Sequence, residues 1–140
     1  SWAGDADAQG GEITCGGRGL ANQCYSPTVI VDAPGTTKVM NEEIFGPVLC
    51  VNGYRKLEEP ILWSNRLPWA FQAGVFTKSL DVGLKVSQQL SAAAVMINDH
   101  SAFRIDSMPF GGHGESGLSL GGVENAIRDM TREKLIVFKS

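Results

Sequence analysis

The chain has 140 residues, of which 43% are hydrophobic and 19% charged, and its formal net charge is -3. This composition favours one packed domain, or part of one, over a disordered chain. The small negative charge argues against binding to nucleic acid or an anionic membrane, and no apolar stretch approaches the about 18 residues of a membrane-spanning helix.

Along the chain, short β-branched runs alternate with segments of helical spacing. Apolar runs bounded by turn residues predict strands over Thr28–Val31, Val48–Val51, Ala73–Thr77, Ala93–Ile97 and Leu135–Phe138. Acidic first turns, a capping serine and i, i+4 apolar spacing predict helices that begin at Glu58 and after Ser79, and a third over Val123–Met130. Strands that alternate with helices predict an α/β fold with a mainly parallel sheet.

Residues 100–122 show no periodicity, so we expect a long loop there, and long loops in compact domains are often functional. Within it, Gly112–Gly117 spells Gly-x-Gly-x-x-Gly, the pattern of a dinucleotide-binding turn. Such a turn needs a strand directly before it and a helix that begins inside it. Neither is predicted here, so we interpret these glycines as a structural loop.

The three cysteines predict neither a disulfide framework nor a metal site, because none stands in a metal-ligand spacing and their number is odd. With no signal-peptide pattern at the first residues, this favours a reducing, cytoplasmic location. Cys24 lacks a nearby base in the sequence, and we interpret it as a small buried or edge thiol rather than a nucleophile.

Two short segments carry side chains suited to ligand binding. Glu43 and Phe45 stand two residues apart, so an extended backbone would place the carboxylate and the ring on one face, ready for a sugar hydroxyl and a heterocycle. A surface Glu beside a core Phe is the alternative, and the residues alone favour it. Arg104 beside Phe103 suits an anionic substrate group at a pocket mouth, although pairing with Asp106 explains it equally well.

Several ordered motifs carry a resemblance to a known family. Glu42–Val48, with the sequence E-E-I-F-G-P-V, resembles the signature segment of the NAD(P)-dependent aldehyde dehydrogenase superfamily. Met108–Gly112, followed by Ser116 and Gly117, resembles that family's glycine-rich loop near the C-terminus. The similarity runs from about Gly11 to Phe138, and the chain resembles only the C-terminal portion of a family member.

The resemblance implies an architecture. The fold would be a three-layer α/β part of the catalytic domain with a mainly parallel sheet. Residues 1–132 would belong to that domain, and residues 133–140 would form a terminal oligomerisation strand.

The resemblance also implies roles for five residues. Glu43 would hydrogen-bond the nicotinamide ribose, and Phe45 would pack near the nicotinamide ring. Phe103 and Phe110 resemble the aromatic lining of the aldehyde tunnel, with Arg104 at its mouth. The segment looks similar to members that act on small anionic or hydroxylated aldehydes, such as phosphonoacetaldehyde and lactaldehyde, so an anionic aldehyde is our hypothesis.

In the family, the nucleophilic cysteine, the general base and the dinucleotide-binding segment lie upstream of the residues matched here. We therefore expect no catalytic residue, no bound metal and no bound cofactor in this chain alone, and no activity from it in isolation. The intact enzyme would oxidise a small aldehyde with NAD or NADP and form a homo-oligomer. A non-enzymatic interaction module that keeps the fold is the alternative.

Overall fold

The computed structural model describes residues 1–139, in which helices and short strands alternate as a mixed α/β fold. In chain order the elements are α1 (Trp2–Ala8), β1 (Glu12–Cys15), β2 (Thr28–Val31), α2 (Lys38–Asn41), β3 (Val48–Val51), α3 (Glu58–Asn65), β4 (Trp69–Ala70), β5 (Gln72–Val75), α4 (Leu80–Gln89), β6 (Ala94–Ile97), β7 (Phe110–Gly111), β8 (His113–Gly114), β9 (Leu120–Gly121) and α5 (Val123–Met130). The chain divides into two units, Ser1–Leu57 and Glu58–Ser140.

The first unit is built on a three-stranded sheet with β2 at its centre. β1 runs antiparallel to β2, whereas β3 runs parallel to it and pairs Ile30 with Cys50. Ile30 is completely buried in a cluster of mostly small apolar side chains. The cluster consists of Ala3, Ala6, Ile30, Ala33 and Val39. Small side chains on α1 and α2 thus cover one face of the sheet and form the core of this unit.

The second unit is centred on the parallel pair β5 and β6, in which Gln72 lies opposite Ala94 and Val75 opposite Ile97. Helix α4 packs against this pair: a Cβ added at its buried Gly83 would lie 3.4 Å from Ile97 Cγ2. The backbone N–H of Val82 donates a hydrogen bond to the Ser79 side chain at 3.3 Å, so the predicted N-cap is confirmed.

Most predicted elements are confirmed. β2, β3, β5, β6 and the three predicted helices occupy the expected segments to within one or two residues. The two four-residue ladders, β2 with β3 and β5 with β6, are both parallel. Four further elements outside residues 100–122, α1, β1, α2 and β4, were not predicted, because each is too short to show a clear apolar periodicity.

The prediction of an irregular loop over residues 100–122 is partly wrong, since three two-residue strands lie in it. β8 pairs antiparallel with β4, and β7 pairs antiparallel with β9. Strands of two residues carry too little alternation to be recognised in a sequence, and they form here because distant segments supply their hydrogen-bonding partners.

The predicted terminal strand over Leu135–Phe138 is not formed in the described chain. Residues 131–139 have no regular secondary structure, and Leu135, Ile136, Val137 and Phe138 are exposed. A strand forms only when a neighbouring strand completes its backbone hydrogen bonds, and no described strand pairs with this segment. The last residue of the predicted oligomerisation segment, Ser140, lies outside the described residues.

Within residues 1–139, no helix has the length and apolar content that crossing a membrane requires.

Candidate functional site

In the first unit, the candidate nicotinamide-ribose residues lie in a short segment that joins α2 to β3. The segment is fastened at both ends, because Glu42 N–H donates to Lys38 O at 2.8 Å and Thr28 N–H donates to Pro47 O at 2.8 Å. Between these bonds the backbone has no helix or strand. This anchoring holds a protruding segment in place without regular secondary structure.

Side chains alternate along this segment. Ile44 packs against the core cluster, whereas its neighbours Glu43 and Phe45 are exposed. The same alternation was expected for an extended backbone, which points residues i and i+2 to one side. Glu43 and Phe45 therefore both face solvent, and Glu42 makes a separate exposed ion pair with Lys38 at 3.9 Å.

Phe45 is unusual for a phenylalanine because 94% of its surface is exposed. Among residues 1–139 no ring contact or cation–π contact forms to it. The alternative of a core Phe is therefore wrong. The anchored backbone thus presents nearly the whole Phe45 ring to solvent in the described chain.

In the second unit, the pairing of β4 with β8 folds the glycine-rich loop against the strand that directly precedes Phe71. Trp69 lies opposite Gly114, and Ala70 N–H donates a hydrogen bond to Ser116 Oγ at 3.0 Å. The next residue, Phe71, contacts the loop through its ring. The Phe71 and Phe110 ring centroids are 5.3 Å apart at an interplanar angle of 78°, an edge-to-face pair.

Arg104 and Phe110, two of the predicted substrate-binding residues, are in contact. The guanidinium carbon of Arg104 lies 4.1 Å from the centre of the Phe110 ring, which is a close cation–π geometry. Within the described chain Arg104 makes no ion pair, so the alternative pairing with Asp106 is not observed. Because stacking uses the face of the guanidinium, its N–H groups stay available to an anion.

Phe103, the third predicted substrate-binding residue, lines a separate cavity of about 310 Å³. Strand β6 forms one wall, and Asp99 and Met108 complete the lining. This cavity is mostly apolar, as expected for a site that accepts an aliphatic or aromatic group. The structure therefore joins Arg104 to Phe110 and places Phe103 on a neighbouring concave surface.

Phe71 was missed by the sequence analysis. It lies between β4 and β5. Nothing in its local sequence pattern distinguishes a ring that contacts a distant loop from an ordinary packed phenylalanine. Its ring is 40% exposed.

The Gly-x-Gly-x-x-Gly pattern lies in a segment whose close backbone packing requires glycine. A Cβ at Gly112 would lie 2.6 Å from both Cβ and O of Ser116, so the glycine is needed for close backbone packing. Gly114 lies in β8 with a φ of 59°, and the next helix, α5, does not begin until Val123. No helix N-terminus therefore lies inside the pattern to receive a phosphate.

Cys24 differs from its expected environment in one respect. Its side chain is exposed rather than buried, because Asn22 and Gln23 have φ values of 58° and 61° and form a tight surface turn. Cys15 is also exposed, whereas partial burial raises the pKa of the Cys50 thiol. No cluster of three potential metal ligands exists among residues 1–139.

Comparison with known proteins gives a consistent result. A family model described as the aldehyde dehydrogenase family matches residues 1–136. The 3-sulfolactaldehyde dehydrogenase of Priestia megaterium is 34% identical over 136 residues, which are 97% of this chain and 28% of that protein. The chain therefore spans little more than a quarter of the length of this relative.

Solved structures agree in fold. Aldehyde dehydrogenase 21 from Physcomitrella patens, solved with the reaction product succinate, has a TM-score of 0.85 and 36% identity over 92% of this chain and 27% of its own. NADP-dependent glyceraldehyde-3-phosphate dehydrogenase from Bacillus halodurans, solved with NADP, has a TM-score of 0.86 and 33% identity over 93% of this chain and 27% of its own.

Proposed function

Because the chain belongs to the aldehyde dehydrogenase family, we propose that it forms a nicotinamide-ribose contact and part of the aldehyde site of an enzyme that oxidises an anionic aldehyde to a carboxylic acid. The activity is assigned to a family-length enzyme, since the chain spans 28% of a relative. The observation that carries the choice of substrate is the Arg104 guanidinium, stacked on Phe110 with its N–H groups unpaired among residues 1–139.

On the cofactor side, the residues present fit the nicotinamide riboside end of NAD or NADP. Glu43 offers an exposed carboxylate that accepts hydrogen bonds from ribose hydroxyls, and Phe45 offers an exposed ring for an aromatic heterocycle. When bound, the cofactor accepts a hydride from the substrate. The contribution of this chain is to orient the nicotinamide end of the cofactor through these two side chains.

On the substrate side, the cation and the apolar surface suit a short aldehyde that carries an acidic group. Arginine presents N–H donors in a planar fork that matches carboxylate, phosphate and sulfonate oxygens. The names of similar proteins are consistent with this class, since they refer to 3-sulfolactaldehyde, to succinate as a product and to glyceraldehyde-3-phosphate. Phe103 and its cavity would accommodate the apolar part of the molecule.

The test uses a chimera in which this chain replaces the matching segment of the Priestia megaterium 3-sulfolactaldehyde dehydrogenase. NAD(P)H formation is followed with succinate semialdehyde and with butyraldehyde, which have the same carbon number but differ in charge. We expect Arg104→Gln to raise KM for the anionic aldehyde by about tenfold, the low end for a hydrogen-bonded charge because Arg104 is exposed. KM for butyraldehyde should stay unchanged.

Arg132→Gln is the matched control, because Arg132 is also exposed and its replacement removes the same charge. It should alter neither KM. Equal effects of Arg104→Gln on both aldehydes, or no effect on either, would contradict anion recognition by this residue. A chimera that folds and binds NAD(P) but oxidises no aldehyde would contradict the proposed activity.

We also propose that the 140-residue chain does not oxidise aldehydes alone. Its three thiols lie in the first unit. Each donates a hydrogen bond to a backbone carbonyl, and among residues 1–139 none is hydrogen-bonded to a histidine, a carboxylate or a cation that would activate it as a nucleophile. Incubation with NAD and succinate semialdehyde should produce no NADH. Turnover that Cys24→Ser abolishes would contradict this.

Self-association is proposed for the end of the chain. Leu135, Ile136, Val137 and Phe138 are all exposed, and an unpaired apolar segment tends to complete its hydrogen bonds with another copy. Light scattering should detect a dimer or larger species, and Ile136→Lys should return it to a monomer. A monomer at high concentration in the unmodified chain would contradict the proposal.

A further inference from the structure

We propose that Phe71 is a positioning residue that holds Arg104 in its anion-binding orientation through the Phe110 ring. The inference rests on the proposed function, because it explains how an exposed arginine is kept in one orientation. It adds a residue to which the sequence analysis assigned no role. Three contacts carry it: the anchoring of Phe71, the edge-to-face ring pair, and the stacked guanidinium.

The backbone of Phe71 is fastened on both sides. Ala94 N–H donates a hydrogen bond to Phe71 O at 3.1 Å, which ties the residue to the beginning of β6. Directly before it, Ala70 N–H donates to Ser116 Oγ at 3.0 Å and Ala70 lies opposite His113. Because both neighbouring segments are held, the ring of Phe71 projects from a fixed backbone position toward the loop.

Phe71 in turn fixes the Phe110 ring. The centroid distance of 5.3 Å and the interplanar angle of 78° match the edge-to-face arrangement that aromatic quadrupoles favour. An edge-to-face pair leaves at least one face of Phe110 uncovered. The Arg104 guanidinium stacks on this ring at 4.1 Å, so the orientation of one ring sets the position of the cation.

The consequence is preorganisation of the anion donor. A free arginine side chain loses rotamer freedom when it binds an anion, and this loss weakens binding. Stacking on a fixed ring removes part of that loss beforehand and leaves the in-plane N–H groups directed outward. Phe71 therefore acts on affinity without touching the anion.

The test is nitrogen-15 NMR on the full chain with labelled arginine, with the Arg104 Nε–H signal assigned by its disappearance in Arg104→Lys. A proton near the face of an aromatic ring is shifted upfield, so this signal reports the stacking directly. We expect Phe71→Leu, which keeps apolar bulk without the ring, to reduce the upfield shift. Phe71→Tyr should preserve it because the ring remains.

Succinate provides the anion, and 1,4-butanediol is the uncharged control. Succinate should move the Arg104 signal, and Phe71→Leu should weaken its apparent affinity by about two- to fivefold, the factor expected for an exposed cation–π contact. Phe76→Ala is the matched control: Phe76 is also exposed, and it makes no ring contact among residues 1–139. It should change neither the shift nor the affinity.

The outcomes separate this inference from the proposed function. An Arg104 signal that keeps its shift in both Phe71→Leu and Phe71→Ala would overturn the positioning role, whether or not succinate binds. A signal that loses its shift in these variants, while succinate moves nothing in the unmodified chain, would uphold the positioning role and contradict anion recognition.

Discussion

Phe45 and Phe110 are both predicted to lie at a binding site, yet their surroundings differ. Phe45 in the first unit is 94% exposed and contacts no ring within the described chain. Phe110 in the second unit is 39% exposed and lies between the ring of Phe71 and the guanidinium of Arg104. The Phe110 ring has partners within the described chain, and the Phe45 ring has none there.

This difference indicates how much of each binding surface the chain builds by itself. The proposed anion-binding group, Arg104 with Phe110 and Phe71, lies in the second unit, where β4 and the glycine-rich loop are held together by the pairing of β4 with β8. The segment that contains Glu43 and Phe45 is anchored at its ends, but these two side chains are exposed to solvent. We expect the substrate side to be ordered before any ligand binds and the cofactor side to be completed by the cofactor or by further protein.

The largest expected change in the free energy of unfolding comes from the core of the first unit. If this core is well packed, the exposure of Phe45 is a local feature and not a sign of a loosely packed unit. Ile30 is completely buried at the centre of the sheet. Ile30→Ala should lower the free energy of unfolding by about 2–5 kcal/mol, because it removes apolar contacts and leaves a cavity. Urea denaturation followed by circular dichroism measures this change.

Leu49→Ala on the adjacent strand is the control, since Leu49 is 60% exposed and should cost less than about 1 kcal/mol. Equal losses from the two substitutions would mean that the first unit lacks a specific core. The exposure of Glu43 and Phe45 could then not be contrasted with a packed first unit.

Glycine substitutions compare the two candidate segments directly. At Gly112 an added Cβ would lie 2.6 Å from Ser116 Cβ, whereas at Gly46, beside Phe45, its nearest contact is Ile44 Cγ2 at 3.9 Å. Gly112→Ala should therefore lower the free energy of unfolding by about 1–3 kcal/mol through steric overlap. Gly46→Ala should change it by less than about 1 kcal/mol. Thermal and urea unfolding of both variants measure these changes. A larger loss of stability from Gly46→Ala than from Gly112→Ala would contradict the difference between the two segments.

The cysteines allow the first unit to be probed alone, since Cys15, Cys24 and Cys50 all lie in it. Burial raises the pKa of the Cys50 thiol above its ordinary value of 9.0, so its thiolate is less populated in the folded protein. Iodoacetamide should modify exposed Cys15 and Cys24 first, as peptide mass spectrometry would detect. Preferential modification of Cys50 would indicate that β3 opens readily and that the first unit is loosely packed.

The same shift predicts a pH dependence. The neutral thiol is favoured in the folded state, so the stabilising contribution of Cys50 is present below pH 9.0 and is lost as the pH rises through the higher folded-state pKa. Cys50→Ser should remove this dependence. Unfolding midpoints of the unmodified chain and of Cys50→Ser, measured across the alkaline pH range, provide the test. A stability of the unmodified chain that rises with pH relative to Cys50→Ser would contradict the prediction.

The smallest expected effect concerns Phe45 itself. Because its ring is almost fully exposed, Phe45→Ala should change the free energy of unfolding by no more than about 0.5 kcal/mol. Phe110→Ala should cost more, since it removes the edge-to-face contact and the stacked guanidinium. Urea denaturation compares the two, and a larger loss from Phe45→Ala would show that its ring packs within the chain in solution.

Sequence patterns predicted the elements whose signals agree locally. Ser79 with the i, i+4 row behind it predicted α4, and the β-branched run Thr28–Val31 predicted β2. Leu135–Phe138 carries an equally strong strand pattern but forms no strand, because a partner strand is required as well as propensity. The two-residue strands of the glycine-rich loop were missed for the converse reason, since pairing forms them without any local pattern.

By itself, then, the sequence determined the family, most helices and strands, and the alternation that exposes Glu43 and Phe45 around Ile44. These properties depend on neighbouring residues and on the side-chain period of an extended backbone. The tertiary structure alone decided that Arg104 stacks on Phe110 instead of pairing with Asp106, and that Phe71 supports this contact. The Phe71–Phe110 contact joins segments far apart in the chain, which local propensity does not encode.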